Sequence, residues 1–284
     1  MWFPCRQLLV GSLAVWSAAA ELSFSAQSVR ANGEVRALSD TDFHPVPPRQ
    51  RWQHSARRHN TTLREARDVV SYSGSWCGAS QHSSRADRIV NAYGSFTTPK
   101  LKLREGLPAP QYAAAWVGID GAECKRALLQ AGVTTVVNSN GGQSSWAWWQ
   151  WFPEASYEIS TKSLPVRAGD WISVNVTAKT DTEGLLTVTN LSQGFRVDIE
   201  IQRGPKLCRI DSEWLIEQFY ENEGPQVNLG KFDDIWFMDS TSTTERGNNI
   251  GIDGAAMVYL QNDKEEVVCK AERYDDSSFY VYGP

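Results

Sequence analysis

Histidine is scarce in this chain, with four in 284 residues, and no apolar run approaches the roughly 18 residues that cross a bilayer as a helix. The second shortage excludes a polytopic membrane protein. The first prunes the enzyme mechanisms. There is no H-E-x-x-H motif and no Cys/His cluster at zinc-ligand spacing, so no metal site is expected. A G-x-S-x-G elbow, a Walker-type loop and a G-x-G-x-x-G turn are missing as well, and no cofactor is expected. Lys+Arg 28 against Asp+Glu 33 gives −5 with no basic stripe, which argues against nucleic acid as partner. Gly 21 and Pro 12 are ordinary numbers, so collagen-like and low-complexity classes are out. His44 and His54 fall within residues 21–58, leaving His59 at the margin and His82. If the chain is an enzyme, its proton transfers fall to carboxylates.

What is present begins with a secretory signature. Arg6 supplies a positive start, residues 8–20 are mostly apolar, and Ala18-Ala19-Ala20 offers a small-residue cleavage site before Glu21. Residues 1–20 therefore read as a signal peptide and the protein as secreted and extracellular, with no membrane contact once the signal is removed. Cys5 leaves with that segment; Cys77, Cys124, Cys208 and Cys269 remain, an even number that suggests two disulfides with three possible connectivities. Sequons begin at Asn60, Asn175 and Asn190. Residues 21–58 carry six arginines, four acidic residues and no periodic apolar pattern, and end in the dibasic pair Arg57-Arg58. They read as a pro-segment of charge +2 ahead of a body, residues 59–284, of charge −8. Such a leader docks electrostatically, and its attraction weakens as carboxylates protonate.

The body reads as one all-β domain. Strand-like runs at 88–98, 112–119, 128–137, 145–152, 171–178, 185–189 and 195–201 are separated by turn residues such as Asp120-Gly121 and Asn140-Gly141-Gly142. That spacing predicts an antiparallel sandwich or barrel. Leu63, Ala66 and Val70 form the clearest helical pattern, and it is short.

Three segments carry the chemistry. The first runs from Trp116-Val117-Gly118-Ile119-Asp120-Gly121 to Cys124 and Leu129-Gln130-Ala131-Gly132-Val133. The second is Trp146-Ala147-Trp148-Trp149-Gln150-Trp151-Phe152, the third Cys208 followed by Glu213-Trp214-Leu215-Ile216-Glu217-Gln218-Phe219. Strand alternation puts Trp146, Trp148, Gln150 and Phe152 on one face and Ala147, Trp149 and Trp151 on the other. One face is core; the other then forms a broad aromatic surface suited to a cleft.

Together with Ser75-Trp76-Cys77-Gly78-Ala79 and Gly94-Ser95-Phe96-Thr97-Thr98-Pro99, these segments resemble the glutamic peptidases, the eqolisin or G1 family of secreted fungal acid proteases, over most of residues 72–284. The resemblance implies an antiparallel β-sandwich of two large sheets, of the concanavalin A/lectin-glucanase kind, with polypeptide substrates on a concave face. It implies Gln130 and Glu217 as the catalytic pair, Trp116, Asp120, Trp146, Trp148 and Gln150 as substrate-binding residues, and a Cys124–Cys208 disulfide. Cys77 and Cys269 are left over. An ionised Glu217 would act as general base on water, and Gln130 would donate to the oxyanion. A monomer with no cofactor suffices. The sequence departs from the family at two acidic positions, where Trp146 and Gln150 stand. With Gln150 beside it, Glu217 would lack a like-charged neighbour and stay ionised further into acid.

A different class also fits: a lectin-like sandwich acting as glycoside hydrolase or carbohydrate binder, with Glu213 and Glu217 as a carboxylate pair, or a catalytically silent peptide binder. On a strand those carboxylates lie about 13 Å apart, against the roughly 5–9.5 Å that glycosidases use. On a helix they would come within reach.

Overall fold

The computed structural model describes residues 21–47, 69–221 and 224–283. The cleavage pair Arg57-Arg58, His54, His59, Asn60 and the signal peptide lie outside them, as do Leu63 and Ala66 of the helical pattern. Val70 falls in the strand Val69–Ser73, so the helical reading gives way to β-structure there.

Antiparallel strands stack in two layers. The front layer runs Phe43–Val46, Ser156–Ile159, Gln143–Phe152, Leu128–Val137, Gln111–Ile119, Asp211–Glu217, Trp76–His82 and Ala256–Gln261, each hydrogen-bonded to the next. The back layer runs Val35–Ala37, Ser23–Arg30, Phe195–Gln202, Gly184–Asn190, Trp171–Ala178, Ile89–Thr97, Ile235–Thr244, Phe279–Tyr282 and Val267–Arg273. Val267–Arg273 also pairs with Ala256–Gln261, so the two layers are continuous at that edge. The sandwich predicted from turn spacing is the fold observed, and the predicted strand ends lie within two residues of the observed ones in the body.

Alternation explains how the layers cohere. Ala113, Ala115 and Val117, Ala131 and Val133, and Ala147, Trp149 and Trp151 point between the layers, against Val174, Val176, Leu186, Val188, Phe96 and Phe237. Trp116, Leu128, Trp148, Phe152, Leu215 and Trp76 gather on the opposite face of the front layer, in a second apolar cluster. The Trp-rich strand thus serves two clusters at once, as its period of two requires.

Cys77–Cys269 and Cys124–Cys208 are the two disulfides. The first ties the front strand Trp76–His82 to the bridging strand, and the second closes the loops that follow Ile119 and Gln202. Asn190 is fully buried, its amide donating to the Pro165 carbonyl and to Asp170, so in the folded chain this sequon offers no glycan acceptor.

Residues 21–58 had shown no strand pattern, yet Ser23–Arg30 and Phe43–Val46 extend both layers. The reason is visible in the burial: the segment's strands lie at the margins of the layers with few inward side chains, chiefly Phe24, Ala26 and Phe43, too few to print a period.

Across the ladder, Trp116 pairs with Gly132 and Gln130 pairs with Gly118. A Cβ on Gly132 would lie 2.1 Å from the Ala115 carbonyl oxygen and 2.6 Å from the Trp116 Cβ. Backbone offers no flexible end to move aside. Gly132→Ala should therefore cost at least about 1–3 kcal/mol, read as a lower Tm, whereas Gly141→Ala, in open space but at φ +79°, tests strain without a clash. A Gly132→Ala variant as stable as wild type would show that the ladder has room the geometry denies.

Candidate active site

The site-facing residues of four neighbouring strands fall into rows. One row reads Glu213, Gly118, Gln130, Gln150; the next reads Leu215, Trp116, Gly132, Trp148; a third reads Glu217, Ala114, Thr134, Trp146. Gln130 and Glu217 thus share a face but differ by two rows and two strands. In a flat sheet that offset is about 13 Å along and about 10 Å across, or about 16 Å between Cα atoms. Trp116 stands in the row between these two positions.

Both are enclosed. Gln130 is fully buried and Glu217 is 2% exposed. Glu217 ends its strand directly opposite Trp76, whose indole N–H donates to the Glu217 Oε1 at 3.3 Å. The Trp76 ring meets Trp116 edge-on at 5.5 Å. Beyond Glu217 the chain is fastened: the Gln218 N–H donates to the Ser75 carbonyl, and the Gln226 side chain donates to the Gln218 carbonyl. Sequence reasoning missed the Trp76 contact, since nothing in the spacing aligns residues 141 apart. It also missed Thr134, which alternation from Gln130 could have placed on the cleft face. Thr134 Oγ1 and Trp146 Nε1, both in the Glu217 row, are buried with no hydrogen-bond partner among the described residues.

Gln150 sits elsewhere than expected. Its Nε2 donates to the Glu154 carbonyl, which fixes the amide orientation; its Oε1 therefore accepts from Gln130 Nε2, at 2.9 Å in each case. Gln150 steers the Gln130 amide and is two rows from Glu217, so the expected electrostatic effect on Glu217 loses its geometric basis.

Asp120 is fully buried, and its carboxylate accepts from the backbone N–H groups of Cys208, Arg209 and Ile210. Asp211 answers in the other direction, accepting from the N–H groups of Glu123 and Cys124. The two aspartates and the Cys124–Cys208 bond lock the end of the Trp116 strand to the start of the Glu217 strand. Every Asp120 oxygen is spoken for, so the structure places it in the scaffold beneath the cleft and not on the substrate surface. Trp116 and Trp148 are likewise fully buried, while Trp146 is half-buried. Asp120 lies near the sulfurs of Cys124 and Cys208, but disulfide sulfurs are not thiolate ligands, and the group does not fit a metal.

Glu213 and Glu217 lie on one strand, which settles the helix-or-strand ambiguity and leaves them too far apart for a glycosidase pair. His82 contacts Asp211 at 3.0 Å, at the far end of the strand from Glu217. An open groove of about 550 Å³ between Arg88, Lys179, Lys206 and Arg209 lies outside these rows, and its charges pair with Asp181, Glu245 and Glu200.

The two-layer β-sandwich with buried Gln130 and Glu217 on one aromatic face is the arrangement that the resemblance to glutamic peptidases implied. Residues 74–282 match the Peptidase A4 family, and the chain belongs to it. Aspergillopepsin-2 of Aspergillus niger is 28% identical over 275 residues, covering 90% of this chain and 92% of that protein. Scytalido-glutamic peptidase, solved with a peptide-based transition-state analogue, superposes with a TM-score of 0.64 at 26% identity, covering 74% of this chain and 98% of that one. Aspergilloglutamic peptidase from Aspergillus niger gives a TM-score of 0.56 at 30% identity, over 61% and 99% of the two chains.

Burial, with Asp211 nearby, pushes the Asp120 carboxyl up to about 6 against the pull of its three N–H donors. A carboxyl whose folded value is raised stabilises most below its unfolded value near 4, and that contribution is lost as pH rises through about 6. The Tm of wild type should therefore fall over this window relative to Asp120→Asn, which has no carboxyl to titrate there. Parallel Tm curves for the two proteins would remove Asp120 from the titration.

Proposed function

We propose that this peptidase is secreted, works in acid, and cleaves peptide bonds with Glu217 as general base and Gln130 as oxyanion donor. One observation carries the reading: the acid and the amide that match the family's signature pair share one face of the front layer, with Trp116 in the row between them. A peptide lying across the strands on that face would present its carbonyl to Gln130 on one side and to a water on Glu217 on the other.

The steps follow from the groups present. Ionised Glu217 takes a proton from water as the water attacks the carbonyl carbon, then delivers that proton to the leaving amine. The Trp76 N–H on Oε1 holds the carboxylate's orientation during both transfers. Gln130 is the amide that would donate an N–H to the oxyanion, its orientation set by the hydrogen bond from Nε2 to Gln150. Amides do not titrate, so this half of the pair is indifferent to acid, where a histidine base would be protonated. Trp146 Nε1 and Thr134 Oγ1 supply further polar contacts for a substrate backbone in the Glu217 row. Secretion is supported by residues 1–20 and by the two disulfides, which persist in oxidising compartments.

Denatured casein should be cleaved between pH 2 and 5, in the presence of pepstatin, which addresses paired aspartates. Glu217→Gln and Gln130→Ala should each lower kcat by at least about 10²-fold with circular dichroism unchanged. Glu213→Gln should lower it far less. Equal loss at Glu213 and Glu217, or hydrolysis of a β-glucan without proteolysis, would overturn the assignment.

Gln150 gives a sharper check. Gln150→Leu removes the acceptor that orients Gln130 and should lower kcat about 10-fold or more with KM little changed, whereas Gln150→Glu keeps an acceptor and should retain most of the rate. An unimpaired Gln150→Leu enzyme would show that the Gln130 amide is positioned without it.

A further inference from the structure

We propose that Glu213 is a positioning residue that must hold a proton: its O–H donates to the Gln130 carbonyl oxygen and sets that amide for the oxyanion. The inference rests on Gln130 serving the oxyanion.

Strand alternation places the carboxyl. Trp214 and Ile216 point into the core between the layers and Leu215 belongs to the cluster on the cleft face, so Glu213 shares that face with Leu215 and Glu217. Across the ladder Glu213 pairs with Gly118, and Gly118 pairs with Gln130. Glu213 and Gln130 therefore stand two strands apart in one row, about 10 Å between Cα atoms, with no side chain on the residue between them. Glu213 is fully buried there.

Hydrogen-bond polarity then decides the proton. Gln150 Nε2 donates to the Glu154 carbonyl, and Gln130 Nε2 donates to Gln150 Oε1. Every donor in this chain points toward Glu154. The two branches of a planar amide diverge, so with its nitrogen turned to Gln150 the Gln130 group presents its oxygen away from that strand. A carboxylate has only acceptors to offer such an oxygen, whereas a carboxylic acid has one O–H to give.

The surroundings favour the acid form as well. Burial penalises a charged carboxyl, and like charges nearby add to the penalty. On its own strand Glu213 has Asp211 two residues before it and Glu217 four residues after it. The Gln111–Ile119 strand leads into Asp120, the loop beyond carries the exposed Glu123, and Trp76–His82 brings His82 opposite Asp211. Asp211 is engaged by the Glu123 and Cys124 N–H groups and by His82. Within the row itself the neighbouring strands contribute Gln130, Gln150, Ser80 and Ala256, none of which ionises. Raising the pH until Glu213 ionises would exchange an O–H donor for a repelling oxygen, and the Gln130 amide would lose its setting. Activity then has two limits of different origin: Glu217 must be ionised on the acid side and Glu213 protonated on the alkaline side.

The test is the pH profile of kcat and KM on a soluble peptide, using the full chain and two variants. Glu213→Gln supplies an N–H that does not titrate. It should keep most of the rate at pH 3.5, while its alkaline limb moves up by about one unit or more. Glu213→Leu has no donor and should lower kcat about 10-fold at pH 3.5 with KM little changed. An alkaline limb unmoved in Glu213→Gln would overturn the proposal, and so would a Glu213→Leu enzyme as fast as wild type. A second readout needs no turnover. At pH 5.5, where exposed carboxyls are ionised, the infrared band of protonated carboxyls should be larger in wild type than in Glu213→Gln by one group. Equal bands would also overturn it. A wild-type chain that cleaves no peptide would count against the peptidase chemistry, and the infrared comparison would still decide the proton on Glu213.

Discussion

Steric room on the cleft face governs the rest of this molecule. Four strands approach through hydrogen bonds, and each large cleft residue of the central pair lies opposite a glycine: Trp116 against Gly132, Gln130 against Gly118. The Gly118 position would bring a Cβ to 3.0 Å from Trp116 and 3.2 Å from the Gln130 Cβ. With side chains on both partners the rings could not lie down over the sheet. The glycines thus shape the cleft face, although they contribute no side chain to it.

Beneath that floor, the strands are held in line by acids that face the backbone. Asp120 adopts φ +70°, a left-handed conformation that aspartate tolerates better than most residues, and turns its carboxylate onto three successive N–H groups. Asp211 takes two more from the opposite loop. Five buried backbone donors are satisfied by two side chains, beside a disulfide that closes a separation of 84 residues. The register of the Trp116 and Glu217 strands, and with it the spacing of the site, is set at this junction.

Much of this was legible from the residues. Period-two alternation in the Trp-rich strand assigned its two faces correctly, because each face is buried in its own apolar cluster and the pattern has no reason to blur. The sandwich followed from turn spacing, and the family from the motifs around Gln130 and Glu217. What could not be read is what depends on distant pairing. Trp76 meets Glu217 only through strand order, and Gln150 meets Gln130 only through register. Asp120 was misjudged for a related reason: an acid beside a glycine turn in a cleft motif looks functional, and only the three N–H groups arriving from residues 208–210 reveal its engagement. The strands at Ser23–Arg30 and Phe43–Val46 carry no readable pattern because a strand with one buried side chain in several has almost no period to detect.

The two layers also run into one another through Val267–Arg273, which pairs with a strand of each, with Cys269 of this strand bonded to Cys77. An enzyme that digests extended polypeptide meets its own kind in solution as potential food. Strands paired on both flanks offer no extended backbone for another copy to seize, and the junction at Val267–Arg273 removes two free flanks in one stroke. The scarcity of free flanks at this edge is a property of how the sheets are joined.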